Sequence, residues 1–187
     1  MTELEIPQPN ETVTEQELRT LAAFLFNLIE AQITRADTKA GLVIAADSVF
    51  ITGALFQARH GFILHVFNNS ASLLERGVSV LMILFFAALL ASMVYALRAA
   101  RPALTVKGGG ETIFFFNKIA QYSHQEFLDV FSKQSPSQFH AALLTEVYNT
   151  ARIANEKFAR IRYSIDYLIV SVVLWMLIQL LLALSSQ

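Results

Sequence analysis

Apolar and polar positions alternate with a helical period along most of this chain. Residues 1–13 form a polar lead that predicts disorder, and Thr14 and Glu17 then have the spacing of a capping box that begins a helix. Apolar residues follow at steps of three and four against a charged face, which is typical of an amphipathic helix over residues 14–40. They are Leu18, Leu21, Leu25, Leu28 and Ile29.

Three stretches are long and apolar enough to cross a membrane. Residues 41–58 contain one charge, Asp47, which costs about 3 kcal/mol near the middle of a span. Residues 77–97 carry no charge and are long enough for about 30 Å of hydrocarbon; Pro102 ends this helix soon afterwards. Residues 163–184 form the third span. We expect the connection over residues 59–76 to dip into the membrane interface.

The region between the second and third spans, residues 98–162, is also predicted to be helical. Its first part, residues 111–134, is rich in aromatic residues and predicts one or two short helices. Ser135 and Pro136 have the order of an N-cap and a first helical residue. Because neither glycine nor proline occurs after Pro136, this helix should run directly into the third span. The fold class is therefore predicted to be all-α, an integral membrane protein with three transmembrane helices and a helical cytoplasmic bundle.

The basic residues predict an orientation. With the N-terminus inside, 12 of the 14 lysines and arginines lie on the inner side, and only Arg59 and Arg76 lie outside. Positive charge is concentrated in cytoplasmic loops. We therefore expect residues 14–40 and 98–162 to be cytoplasmic, with the C-terminus in the periplasm.

Composition and motifs argue against several functions. Charged residues make up 16% of the 187 residues, against about a quarter in soluble domains. The net charge of −1 provides no field that would attract nucleic acid, and cysteine chemistry is excluded because the chain contains no cysteine. The four histidines lack metal-binding spacing, and no nucleophile elbow occurs. We predict no catalytic residue and no metal site, and hence no enzyme.

Two acidic residues and a face of small residues stand out in the spans. Asp47 either lines a pore or subunit contact, or makes a packing hydrogen bond as a buried, protonated acid. Asp166 should lie nearer the cytoplasmic surface. The small residues would let helices approach closely, either within the chain or between copies. They are Gly41, Ala45, Ala46 and Gly53.

Basic and aromatic residues mark the inner side of the membrane. The phenylalanines at positions 114–116 and Tyr122 could stack on a base, although helix packing is the favoured interpretation. A belt of cations could hold the phosphate of a nucleotide or lipid, or could only anchor the helices at the interface. The belt comprises Arg98, Arg101, Arg152, Lys157, Arg160 and Arg162.

The order of these features resembles a known family, the transmembrane effectors of Pycsar anti-phage systems. The resemblance extends over residues 20–184. It is carried by residues 35–40 before the first span, by Arg101 and Pro102 after the second span, and by the phenylalanines at positions 114–116. Tyr148, residues 155–157 and Arg160 precede the final span in the manner of the family.

This resemblance implies a function in antiviral defence. In that family a neighbouring cyclase makes a cyclic pyrimidine nucleotide, cUMP or cCMP, during infection, and the effector then impairs the bacterial inner membrane, so that infection is aborted. No cofactor is implied beyond this ligand. Sensing would use the helical cytoplasmic part, within a homo-oligomer or with a partner, because no β-roll sensor is recognisable. The alternative is a non-lethal scaffold or accessory subunit of a transporter or receptor. The implied nucleotide-binding residues are Asp37, Lys39, Arg101, Lys157 and Arg160.

Overall fold

All regular elements in the described part of the chain are α-helices. The computed structural model describes residues 14–58, 72–102 and 112–185. The predicted all-α class is confirmed, whereas the predicted disordered lead, residues 1–13, lies outside the described residues. In chain order the helices are α1 (Glu15–Ala58), α2 (Leu73–Ala100), α3 (Phe116–Ile119), α4 (His124–Ser132) and α5 (Pro136–Ser185).

The two longest helices begin at hydrogen-bonded caps that the sequence predicted. At α1 the backbone N–H of Thr14 donates to Glu17 Oε2 at 2.7 Å, and the N–H of Glu17 donates to Thr14 Oγ1 at 3.3 Å. At α5 Ser135 and Gln138 exchange the same two bonds, at 2.9 and 3.3 Å. Each cap satisfies N–H groups that a helix start leaves without partners.

Helix α2 begins four residues before the predicted start of the second span. Ser72 is its N-cap, and Ser72 and Glu75 form a capping box. Residues 73–76 are therefore helical, and residues 59–71 of the predicted connection lie outside the described residues. The capping box starts the helix one turn before the apolar run from which the sequence predicted the span. The end of α2 at Ala100, just before Pro102, agrees with the prediction.

Helices α1 and α5 are each continuous. With 50 residues, α5 joins the soluble segment to the third span as one rod, as predicted; its length is roughly 75 Å at 1.5 Å per residue. With 44 residues, α1 likewise joins the amphipathic segment to the first span. Helices α1, α2 and α5 each contain a window long and apolar enough to cross a membrane. The chain is therefore a membrane protein.

The described chain divides into two compact units, and each has its own core. Among the described residues, the first unit comprises residues 14–31 and 112–151 and contains a set of phenylalanines that pack edge to face. Phe139 contacts Phe114 and Phe131 at centroid distances of 4.9 and 5.4 Å. Thr112 donates a buried hydrogen bond to Glu146 in the same unit. Of the two uses predicted for the aromatic segment, the structure therefore shows helix packing at Phe114.

The second unit comprises the described residues 32–58, 72–102 and 152–185 and holds the three predicted spans. Phe85 lies in its larger core, next to the Trp175 ring at 5.2 Å between centroids. Two clusters of buried apolar residues join α1, α2 and α5. The larger cluster contains Ala54, Val78, Met82, Phe85, Leu89 and Ile178, and the smaller contains Ala36, Ala40, Ala99 and Ile161.

The packed side of α1 differs from the side that its leucines mark. Leu18, Leu21, Leu25 and Leu28 remain 43–53% exposed, whereas Ala22 is buried. The leucine period correctly predicted a helix but not its buried face. Helix α1 carries apolar residues on more than one side, and alanine lets neighbouring backbones approach closely.

Candidate functional site

An ion pair connects α1 to α5 among the predicted nucleotide-binding residues. Lys157 Nζ lies 2.5 Å from Asp37 Oδ1, and the Lys157 side chain is only 7% exposed, against 44% for Asp37. A buried ammonium requires a paired anion, since a lone charge away from water is strongly unfavourable. Asp37 thus neutralises Lys157 while remaining accessible from outside.

Lys39, two residues after Asp37 on α1, is exposed. Its Nζ atom is 5.6 Å from the centroid of the Phe158 ring on α5, which is within the range of a cation–π interaction. Phe158 is also half-buried against the smaller apolar cluster. An exposed cation and an aromatic face therefore lie side by side.

Arg160 stabilises the C-terminal end of α2. Its Nη1 donates to the backbone oxygen of Arg98 at 3.1 Å, and its Nη2 donates to Glu156 Oε2 at 2.9 Å. The last four carbonyls of a helix have no partner within the helix, and a cation near them is favourable. Arg101, the residue after α2, has an exposed side chain. The structure therefore brings Asp37 and Lys157 together, places Lys39 over the Phe158 ring, and gives Arg160 a capping contact.

A groove runs along one side of α5. Its volume is about 470 Å³. Arg162 provides a planar cation that suits phosphate, while Phe158 and Tyr163 provide rings on which a base could stack. The sequence singled out Arg162 and Asp166 but missed both rings, although positions three, four and seven apart share one side of a helix. The lining residues are Asn155, Phe158, Ala159, Arg162, Tyr163 and Asp166.

A second polar site lies within the spans, where Asp47 meets two serines. Ser92 Oγ on α2 donates to Asp47 Oδ2 at 3.0 Å, and Ser164 Oγ on α5 donates to the Ser92 backbone oxygen at 2.8 Å. All three residues are fully buried. Both serines were missed, because pairing across three helices is not visible in sequence. Asp166, the other acidic candidate, is exposed.

Two glycines of the small-residue face of α1 have open space beside them in the described part of the chain. Among residues 14–58, 72–102 and 112–185, a Cβ atom added at Gly41 or at Gly53 would meet nothing within 4 Å. Ala45 is also exposed, and Gly53 lines a shallow recess of about 310 Å³ with Ser48, Val49 and Thr52. Contacts among the described residues therefore do not explain why these two glycines are small.

Two carboxylates outside the spans have altered acidity. The pKa of Glu17 is lowered by hydrogen bonds from the backbone N–H and the hydroxyl of Thr14. The pKa of Glu126, in the capping box of α4, is lowered in the same way by Ser123. Both carboxylates are thereby held ionised at the helix starts. Within residues 14–58, 72–102 and 112–185, no three metal-ligating side chains cluster.

Three apolar helices, joined by a buried ion pair and a buried polar cluster, define an all-α integral membrane protein. Residues 21–184 match the model of the Pycsar effector protein domain, PycTM, and the chain belongs to this family. It is a membrane effector of Pycsar antiviral defence, in a family not known for enzymes, and membership implies a partner that makes a cyclic nucleotide. Neither a curated protein nor a solved structure matches the chain.

Proposed function

We propose that a cyclic pyrimidine nucleotide, cUMP or cCMP, activates this effector, which then impairs the bacterial inner membrane and aborts infection. The supporting observation is the arrangement around Phe158. Its ring lines the α5 groove, carries the Lys39 ammonium on its face, and has Arg162 in the same groove. A cyclic nucleotide has one anionic phosphate and one flat base, and these side chains complement both.

Binding would rearrange contacts that now join α1 to α5. A pyrimidine stacked on Phe158 would take the place of the Lys39 ammonium, which would be free to contact the phosphate together with Arg162. Aromatic stacking is worth about 1–3 kcal/mol per base. The phosphate would also compete with Asp37 for Lys157, since both anions favour the same ammonium. Arg101 and Arg160 would add positive charge at the end of α2.

Activation requires that the nucleotide bind the active state more tightly than the resting state. A lethal protein must remain almost entirely in its resting state without ligand, so the preference must reach roughly tens to hundreds of fold or more. In the active state a phosphate contact would replace the Asp37–Lys157 contact, which would loosen the junction of α1 and α5 only when ligand is bound. This exchange would give the nucleotide its preference for the active state.

The basic residues set the proposed orientation in the inner membrane. With the N-terminus in the cytoplasm and the C-terminus in the periplasm, the groove and the Asp37–Lys157 pair face the compartment in which a cyclase would release its product. A reporter that is active only in the periplasm should therefore be active when it is fused after Gln187.

Self-association through the open face of α1 is the proposed route to membrane damage. Gly41, Ala45 and Gly53 leave room for the helix of a second copy. Gly53→Leu should weaken the oligomer in chemical cross-linking and lower toxicity. Gly77→Leu is the matched control, because a Cβ at Gly77 also meets nothing among the described residues but Gly77 lies on α2. Equal effects of both variants would contradict a specific role for the α1 face.

Co-expression with a pyrimidine cyclase tests the function. Depolarisation and cell death should require both proteins and should be absent with an inactive cyclase. A non-lethal scaffold or accessory subunit would cause neither, and that result would overturn the proposal.

Binding of cUMP and cCMP to the detergent-purified chain, followed by calorimetry, tests the site. Lys39→Ala and Arg162→Ala should each weaken binding about tenfold, as expected for the loss of one charge-assisted contact. Lys133→Ala is the control, because Lys133 is exposed, lies outside the groove and pairs with nearby Asp129. Unchanged affinity in both groove variants would exclude this site.

A further inference from the structure

The polar cluster in the spans has one oxygen without a partner. The Ser164 hydroxyl donates its hydrogen bond to the Ser92 backbone oxygen, and the Ser92 hydroxyl donates its hydrogen bond to Asp47 Oδ2. Asp47 Oδ1 is buried and has no hydrogen-bond partner among the described residues. The cluster thus offers a carboxylate and two hydroxyl oxygens, with no positive group of the described chain bonded to them.

Packing alone does not account for this acid. A buried polar group without a partner costs about 1–3 kcal/mol, and replacing buried charges by apolar residues is often neutral or stabilising. Ionisable residues within membrane spans commonly belong to ion or proton pathways. Carboxylate and hydroxyl oxygens are ligands that suit small, hard cations.

Apolar layers close the cluster on both sides. Ala40, Asp47 and Ala54 follow one another at seven-residue steps on α1, and all three are fully buried. Each step is roughly 10 Å along the helix. Ala40 belongs to the smaller apolar cluster and Ala54 to the larger one. A polar site between hydrophobic constrictions is an arrangement that can be closed at rest and can conduct when the constrictions open.

We propose that Asp47, with Ser92 and Ser164, is the cation site of the path that opens on activation, so that the leak passes monovalent cations in preference to anions. The inference rests on the proposed function, because it concerns the ions that the leak carries. In the resting state the apolar layers keep the site closed. In the active state the Asp47 carboxylate attracts cations and repels anions, while the serine oxygens replace part of the cation's hydration shell.

Reversal potentials in planar bilayers test this inference. The full-length chain is reconstituted under a KCl gradient, and cUMP or cCMP is added on either side. The native protein should show a nucleotide-dependent current that reverses near the potassium equilibrium potential. Asp47→Asn keeps the shape of the side chain but removes the charge, so its current should reverse closer to zero. Asp129→Asn is the control, since it removes an exposed acid outside the spans and the groove, and should reverse like the native chain.

A second variant covers the case in which Asp47→Asn fails to fold. Ser92→Ala keeps the acid but removes the hydroxyl that donates to it, and it should also shift the reversal potential towards zero.

Replacing potassium by a large organic cation at several pH values distinguishes alkali cations from protons as the carriers of the current. Loss of the current indicates that alkali cations alone pass, and a residual current that grows with acidity indicates that protons pass as well as potassium; both results support the inference.

The possible failures are distinguishable. A nucleotide-dependent current that is unselective, favours chloride, or keeps its selectivity in Asp47→Asn or in Ser92→Ala overturns the cation site but leaves the proposed function intact. Absence of any current from the native protein with either nucleotide overturns the proposed leak, and the cation site with it.

Discussion

The second unit holds a buried polar contact at Lys157 and another at Asp47. The two contacts differ in whether the buried charged group has a partner for each of its polar atoms. At Lys157 the buried ammonium has the carboxylate of Asp37 beside it, and Asp37 remains half exposed. At Asp47 the buried acid has one serine donor, no cation among the described residues, and an oxygen without a partner. Both contacts involve α1, ten residues or roughly 15 Å apart along the helix.

The comparison suggests different roles for the two contacts. A satisfied, partly accessible ion pair can be opened by an anion that competes for Lys157, which suits a ligand-sensing contact. An unsatisfied and enclosed acid can gain only from a positive group, which suits a cation pathway. Substitutions that remove one partner from each contact should therefore have unlike effects.

The largest expected effect is at the ion pair. Asp37→Ala leaves the Lys157 ammonium buried without its counterion. We expect a loss of about 2 kcal/mol in the free energy of unfolding, below the 3–5 kcal/mol typical of fully buried pairs because Asp37 is half exposed. Thermal unfolding in detergent measures it.

A double-mutant cycle sharpens this prediction. Adding Lys157→Met to Asp37→Ala should restore most of the lost stability, because the uncompensated charge is removed. Asp129→Ala, which breaks the exposed pair with Lys133, is the control and should change the free energy of unfolding by less than about 0.5 kcal/mol. Equal losses at Asp37 and Asp129 would show that the Lys157 contact is ordinary surface pairing.

A smaller effect is expected at the end of α2. Arg160→Ala removes the donor to the Arg98 carbonyl, and because the arginine is partly exposed the loss should be about 1 kcal/mol. Amide hydrogen exchange should accelerate in the last turn of α2, before Ala100. Arg152→Ala, an exposed arginine elsewhere on α5, should leave that turn unchanged. Protection that stays the same in Arg160→Ala would exclude the cap.

Removal of the acid in the spans should cost little. Asp47→Ala deletes a group that lacks a counterion, so relief of its burial offsets the lost Ser92 hydrogen bond, and the free energy of unfolding should change by less than about 1 kcal/mol. Thermal unfolding in the same detergent as Asp37→Ala allows direct comparison. A loss as large as that at Asp37 would mean that a further group besides Ser92 satisfies Asp47, and the contrast between the two contacts would be lost.

The smallest expected effect is a pH dependence at two helix starts. The pKa values of Glu17 and Glu126 lie below the ordinary value of 4.5, so the stability that these caps contribute is complete above that value and lost as the pH falls through the lowered pKa. The protection of amides against exchange, relative to their intrinsic rates at each pH, should fall with acid in the first turns of α1 and α4. The start of α5 provides an internal control, because Gln138 takes the place of a glutamate there and does not titrate. Equal acid sensitivity at all three starts would contradict the prediction.

Local features of this fold could be predicted from sequence, and long-range contacts could not. Thr14 with Glu17, and Ser135 with Pro136, gave correct helix starts because a cap depends on residues within one turn. The same rule applied to Ser72 and Glu75 would have found the true start of α2. Asp37 and Lys157 were each singled out, but their pairing joins residues 120 positions apart and depends on how α1 and α5 pack. Ser92 and Ser164 gave no signal, because serines occur singly in apolar helices.

The most direct test of the central claim, that a cyclic pyrimidine nucleotide turns a resting membrane protein into one that damages the bilayer, is leakage from loaded vesicles. Purified full-length chain is inserted into vesicles loaded with potassium and a potassium-sensitive dye, and cUMP, cCMP or cAMP is added. We predict that potassium escapes only when one of the pyrimidine nucleotides is present. Vesicles that stay tight with both pyrimidine nucleotides, although the protein has inserted, would contradict the account.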